Sequence, residues 1–323
     1  MVVPELAPEQ DRNRRLLALG RHSGNRTGVI GFDCVPLTSA ETTPEGFAPV
    51  FFGNLAAVRE FDRVAAISDA AAREYDGWRR MLGAVGLTGP DVRAIALPEE
   101  APDSTPADLE RARERFLIGD LPLVLVVGSH EPRKNHLAVL HAAELCWRQG
   151  SRFSLAFVGG RAWASEAFET ALTAAQTAGR PVESVTRLPD PLLWAAYRLA
   201  RFTVFPSLNE GFGLPVAESL AAGTPVITSH YGSMREIGER GGAILIDPRV
   251  DEELATAMRL LLNDDARLGS LRAGARGRPK RSWDDYAAEV WQFLTAEPTG
   301  GSGGVLGYDR PSSRGPEHEG GTE

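Results

Sequence analysis

Two glutamates, Glu210 and Glu218, flank a glycine-rich turn in the stretch PSLNEGFGLPVAESLAAGTPVI. Between them run Gly211, Phe212, Gly213 and Leu214. Glycines let a backbone approach a ligand closely, and carboxylates accept hydrogen bonds from paired hydroxyls. A second stretch, SHEPRKNH, runs from Ser129 to His136 and sets two cations, Arg133 and Lys134, ahead of a helical run. A helix N-terminus attracts anions, so cations there call for a negative partner between them. Cations and free N–H groups suit a phosphate. Carboxylates would repel that phosphate and suit the hydroxyls on either side of it. Diol, diphosphate and diol in a row describe a nucleotide sugar. Each feature alone has a plainer reading: glutamates near helix starts are favourable anyway, and Asn135 can cap a solvated helix. Two such turns in one sheet weigh against the plainer reading.

The turns need a scaffold that brings them together. Residues 202–206 read as a strand and 214–222 as a helix, with Pro215 in the first helical turn, where proline is tolerated. From about residue 121, short apolar runs such as LPLVLVV, FSLAFVGG and TPVITS alternate with helical stretches. That alternation predicts a doubly wound parallel sheet, whose ligands bind beyond the carboxyl ends of the strands. Three last helical stretches cover about 251–294. Towards the N-terminus only TGVIGFDCVPL, DRVAAIS and VRAIALP read as strands, with the helix DAAAREYDGWRRMLG among them. This is about half of a similar domain. PEEAPDSTPADLE reads as an interdomain linker. The expected organisation is therefore α/β, with a partial domain over 1–105 and a second over 106–297. The Gly/Ser/Pro-rich stretch 298–323 is expected to be a disordered tail.

The 323-residue chain carries 43% hydrophobic and 24% charged residues and a net charge of −8, which argues against a general nucleic-acid binder. Its two cysteines, Cys34 and Cys146, form no metal-ligand spacing or disulfide framework and suggest a reducing compartment. No segment reads as a signal peptide or as a membrane-spanning run. The expected location is cytoplasmic, with peripheral membrane contact left open.

On these residues the chain resembles the retaining glycosyltransferases of family 4, which have the GT-B fold: two Rossmann-like domains whose parallel sheets face a cleft. The likeness spans about residues 28–294. Its most specific part is the E-x7-E spacing of Glu210 and Glu218, followed by EPRKN, VTRLPDPLLWAAYRLA, GSMREIG, GFDCVPL and DRVAAIS. The resemblance implies a hexosyltransferase that takes a nucleotide-diphosphate sugar as co-substrate, with no cofactor and no bound metal. It implies that Arg133 and Lys134 neutralise the leaving diphosphate and that Glu210 orients donor-sugar hydroxyls. Ser129, His130 and the backbone of Gly211, Phe212, Gly213 and Leu214 would contact the donor, and Glu218 would hold the ribose diol. Residues 185–188, Arg187 among them, would lie near the base. The implied acceptor is a polysaccharide or lipid-linked glycan. It would attack from the face the diphosphate leaves, a phosphate oxygen taking its proton.

The family's N-terminal domain opens with a strand and a glycine-rich loop that this sequence lacks, so an incomplete N-terminal domain is expected. Phe32 stands where the family has histidine before Asp33. An alternative is a catalytically impaired remnant that binds a nucleotide sugar as a regulatory or partner subunit. Asp33 either positions an acceptor hydroxyl or caps its loop. Ser233 and Glu236 have capping-box spacing. Of His130, His136 and His230, His130 is the one expected to touch the ligand. Trp78, Arg79 and Arg80 read as a helix end, solvated or membrane-facing. Trp283 and Trp291 are expected to fasten the last helix across the domain junction.

Overall fold

Short apolar runs bounded by glycine and proline form two separate parallel sheets. The computed structural model describes residues 1–5 and 9–296, so the expected tail over 298–323 lies outside the described residues. The first unit runs β1 (Val2–Val3), α1 (Gln10–His22), β2 (Gly28–Gly31), α2 (Val35–Thr38), α3 (Phe47–Val58), β3 (Arg63–Ala66), α4 (Asp69–Ala84) and β4 (Asp91–Ala94). Its strands lie in the order β1-β2-β3-β4, all parallel, with Val29 opposite both Val3 and Val64. The sheet thus has one strand more than expected, and α1 and α3 cover ground left blank in the sequence. Ser68 caps α4 by accepting from the Ala71 N–H at 2.9 Å. Trp78 is not at a helix end: α4 continues to Ala84, and the indole is buried edge-on to Tyr75. It packs in the core and presents no face to a membrane.

The second unit begins with α5 (Pro106–Phe116), then β5 (Leu123–Val127), α6 (His136–Arg148), β6 (Ser154–Val158), α7 (Glu166–Thr177), β7 (Val182–Val185) and α8 (Asp190–Leu199). It continues through β8 (Phe202–Phe205), α9 (Leu214–Ala221), β9 (Val226–Ser229), α10 (Gly232–Gly238) and β10 (Ala243–Ile246). The helices α11 (Asp251–Asn263) and α12 (Asp265–Arg276) complete it, and α13 (Trp283–Thr295) follows them in the chain. The strand order is β10-β9-β8-β5-β6-β7, all parallel. β5 and β8 sit in the middle, buried on both faces, which is why they read as unbroken apolar runs. The stretch expected as linker is helix from Pro106 onward. Thr105 and Asp108 form a capping box there, at 3.1 and 3.2 Å.

The units are tied in two ways. Arg278 grips Glu99 of the connection from its Nε at 2.8 Å and also donates to the carbonyls of Ile237 and Gly241. The helix α13 crosses back onto the first sheet. Tyr286, Val290, Phe293 and Leu294 pack with Ala65 and Ile95 there, and Leu294 lies so close to Gly28 that a Cβ would come within 2.7 Å of it. Trp283 and Trp291 do not do the fastening, being 52% and 65% exposed. Eight-residue spacing put them on one face of the helix, but the buried face is the other one. Among the described residues no helix is long and apolar enough to cross a membrane.

Candidate functional site

The turn between β8 and α9 stands at the carboxyl end of a central strand, where an open α/β sheet receives ligands. Gly213 closes it with φ of 100°, a conformation in which a side chain would be strained. Hydroxyls pin the turn from several elements. Ser68 Oγ donates to the Gly211 carbonyl at 2.5 Å, Ser233 Oγ to the Glu210 carbonyl at 2.8 Å, and the Tyr231 hydroxyl to the Leu208 carbonyl. Among the described residues, the N–H groups of Gly211, Phe212 and Gly213 take no acceptor in the chain. Ser233 and Glu236 do not form the expected capping box. Ser233 already lies inside α10, whose N-cap is Tyr231. Glu236 instead accepts from the Asp69 N–H at 3.2 Å and from Arg73 at 2.6 Å, across the domain junction.

Arg133 and Lys134 lie in a 3-10 turn, Pro132–Lys134, that follows β5 and precedes α6. The anion between them is the protein's own. Glu210 receives Arg133 Nη1 on Oε2 at 2.5 Å and Lys134 Nζ on Oε1 at 2.9 Å, with Ser207 Oγ also on Oε1 at 2.9 Å. Burial pushes the Glu210 carboxyl up, but Lys134 and Arg133 more than offset it and leave the pKa lowered. Lys134 carries three protons and Arg133 five N–H donors. One lysine proton goes to Glu210, while Arg133 also serves the Asn209 carbonyl and Glu131, so the cluster keeps donors in hand. Asn135 is not the expected side-chain cap. Its backbone is left-handed, with φ of 56°, and its amide donates to the Pro248 carbonyl.

Glu218 projects one turn into α9. Its Oε2 accepts the Tyr197 hydroxyl at 2.7 Å, and burial is the first cause of its raised pKa. Across the junction, Asp33 Oδ1 accepts from the Val35 N–H at 3.0 Å. A Cβ on Gly211 would lie 2.5 Å from the Phe32 carbonyl and 2.8 Å from Asp33 Oδ2, so the two domains meet at this turn. Burial pushes the Asp33 carboxyl up to about 6; Glu74 and Glu210 add to the rise, while the Val35 N–H and Arg133 oppose it. Asp33 thus caps its loop, as one of its two readings expected, and it lies within electrostatic reach of Arg133 and Glu210.

The remaining expected residues divide. Leu214 is exposed at the head of α9, whereas the Phe212 side chain is buried between the domains, leaving only its backbone to face a ligand. Ser129 Oγ donates to Glu131 at 2.6 Å. His130 is not presented to the cleft: its ring is 5% exposed, 4.6 Å from the Phe168 ring. Its backbone N–H bonds the Gly160 carbonyl, which tucks the residue under the neighbouring loop. His136 beside it is kept neutral by burial, which drives its pKa down to about 3. Arg187 is exposed in a left-handed conformation, φ 56°, just beyond β7. Sequence reasoning missed Tyr197, Ser68, Ser207 and Glu74. Glu74 accepts from the Cys34 N–H at 2.7 Å and from Thr38, holding the loop of Asp33. Of these only Ser68 carries a sequence signal, as the N-cap before DAAARE.

The two parallel sheets place the chain in the GT-B fold class. Sucrose-phosphate synthase from Thermosynechococcus elongatus aligns with a TM-score of 0.69 at 22% identity, covering 88% of this chain and 71% of that one. Anabaena Alr3699/HepE, solved in complex with UDP and glucose, aligns with a TM-score of 0.72 at 16% identity, covering 90% and 77%. The chain belongs to the glycosyl transferases group 1 family, whose model matches residues 108–278. A D-inositol 3-phosphate glycosyltransferase from Thermobispora bispora is 35% identical over 59% of this chain and 47% of its own length. The Escherichia coli serotype-specific mannosyltransferase WbdA is 27% identical over 73% of this chain and 29% of its own. The chain therefore spans about half or less of the length of these curated relatives.

Proposed function

We propose that the chain is a retaining glycosyltransferase that moves a hexose from a nucleotide-diphosphate sugar to a polysaccharide or lipid-linked glycan acceptor without a bound metal. The observation that carries this reading is the cluster of Arg133, Lys134 and Glu210 at the carboxyl ends of two central strands, facing Asp33. The sugar C1–phosphate oxygen bond breaks as the acceptor oxygen bonds to C1 on the same face, and the acceptor proton passes to a phosphate oxygen. Charge building up on the leaving diphosphate is met by Arg133, Lys134 and the turn N–H groups, already gathered beside the donor's place, which is where electrostatic catalysis acts. Those two cations supply the neutralisation that a divalent ion gives in other sites. Glu210 holds them in position and, as they turn to the phosphate, frees an oxygen for sugar hydroxyls. Glu218 takes the ribose diol, and Asp33 stands on the acceptor side. The UDP bound to the Anabaena protein supports this class of donor, and the name of the Thermobispora relative supports glycosyl transfer. The test is thermal stabilisation by UDP, GDP, ADP and TDP and their sugar conjugates, on the parent chain and on Glu218→Ala. One nucleotide should stabilise the parent and not the variant. No stabilisation by any of them overturns the reading.

A further inference from the structure

Tyr197 stands on α8 with its ring fully buried, and Thr224 Oγ1 holds its backbone carbonyl at 2.7 Å. A buried phenol must find a hydrogen-bond partner, and this one finds Glu218 Oε2 at 2.7 Å. We infer that Tyr197 is a positioning residue for Glu218, and that the pair makes the site select ribonucleoside over 2′-deoxyribonucleoside diphosphates. The inference rests on the donor-site reading above.

An ionised carboxylate offers two oxygens and about four lone-pair sites. Tyr197 occupies one of them from a fully buried ring. Among the described residues no other donor in the chain takes Glu218. The phenol thereby fixes the plane of the carboxylate and leaves Oε1 and the second lone pair of Oε2 as adjacent acceptors. Two adjacent acceptors match two vicinal hydroxyls. A 2′-deoxyribose fills one of them and leaves the other unmatched in a half-buried position, which is where hydroxyl selectivity is largest. Without the phenol the carboxylate can rotate and serve one hydroxyl as well as two. The other charged groups that face Glu218 are Asp190 at the start of α8 and Lys134; Asp190 raises its pKa and Lys134 lowers it. The Tyr197 hydrogen bond also lowers it, against the burial that raises it.

The test measures affinity for the matched pairs UDP and dUDP, GDP and dGDP, and ADP and dADP between about pH 5 and 8. It uses the parent chain, Tyr197→Phe, Glu218→Ala and the double variant. The parent should prefer the ribo form on the order of tenfold to a hundredfold. Tyr197→Phe should reduce that preference to within about threefold. It should also move the acid limb of binding to higher pH, since Glu218 loses a hydrogen bond to its charged form. In the Glu218→Ala background the Tyr197 substitution should change nothing further. An unchanged ribo preference and pH limb in Tyr197→Phe would overturn the inference. So would an equal loss in both backgrounds, which marks a packing role alone. If Tyr197→Phe does not fold, Glu218→Gln decides selectivity: it keeps an acceptor for the phenol, replaces one outward acceptor by a donor, and should abolish the ribo preference. Retained preference there refutes the pair. Absence of binding by the parent is a different result, and it removes the donor-site reading itself.

Discussion

Replacing Glu210 by glutamine tests whether the chain's own carboxylate holds the cationic cluster together. Arg133, Lys134 and Glu210 are 15%, 12% and 10% exposed, so the two cations are largely desolvated and depend on their counter-ion. Removing one partner of a buried ion pair destabilises by about 3–5 kcal/mol. Residual solvent contact and the remaining bonds of Arg133 to Asn209 and Glu131 favour the lower end, about 3 kcal/mol. In a unit of this size that is a fall in Tm of roughly 6–12 °C, readable by calorimetry. The Glu210 carboxyl is depressed in the folded chain, so its contribution is present above the ordinary carboxylate range and is lost as pH falls through its folded value. Parent and Glu210→Gln should therefore converge in acid. Inorganic pyrophosphate can replace the lost negative charge. At a hundred times its Kd it should restore about 2.7 kcal/mol in the variant and less in the parent, where Glu210 competes for the same cations. A variant as stable as the parent at neutral pH, or one that pyrophosphate stabilises less than the parent, would refute the counter-ion argument.

Three other outcomes follow from the geometry. Asp33 is raised from 3.8 to about 6, so its ionisation opposes folding by up to about 3 kcal/mol as pH rises through that window. Asp33→Asn should be more stable than the parent at neutral pH and equal to it below about pH 4, by urea denaturation; lower stability at neutral pH would contradict the burial argument. Leu294→Ala should lose about 2–5 kcal/mol, while Trp291→Ala on the same helix should stay within about 0.5 kcal/mol, because the leucine is buried and the tryptophan is not. Arg278→Ala leaves buried Glu99 with only its longer contact to Arg240 at 3.4 Å and should cost up to about 3 kcal/mol, with faster proteolysis of the connection before α5; unchanged cleavage would show that the connection is held elsewhere.

Much of the second domain is legible in the sequence for a physical reason. Strands buried on both faces, such as β5 and β8, leave continuous apolar runs, and α6 and α7 between them are closed by Gly150 and Gly179. The first domain is harder. A two-residue β1 has no periodicity to display, and α1 is dominated by arginines around a few leucines. In the site, residue types announced Arg133, Lys134 and Glu210, but not their pairing, because 76 residues separate Lys134 from Glu210 along the chain. The same limit hid Tyr197, whose phenol matters only because α8 lies beside α9. His130 misled for a local reason. A residue just past a strand end is usually offered to the ligand, yet here the loops after β5 and β6 press together so tightly that a Cβ on Gly159 would lie 1.8 Å from the Gly128 carbonyl. That contact folds His130 inward.

The return of α13 to the first sheet also orders events during synthesis. Ala65 and Ile95 leave the ribosome about two hundred residues before Val290, Phe293 and Leu294 arrive to cover them. Until then one side of the early sheet stays open, and its strands are exposed to solvent or to a chaperone. The single sheet of the later domain finds its covering helices nearby in the chain and can close as it emerges. The domain translated first is thus the last to be finished, and a nascent chain arrested before α13 should carry a folded second domain beside a first that is still incomplete.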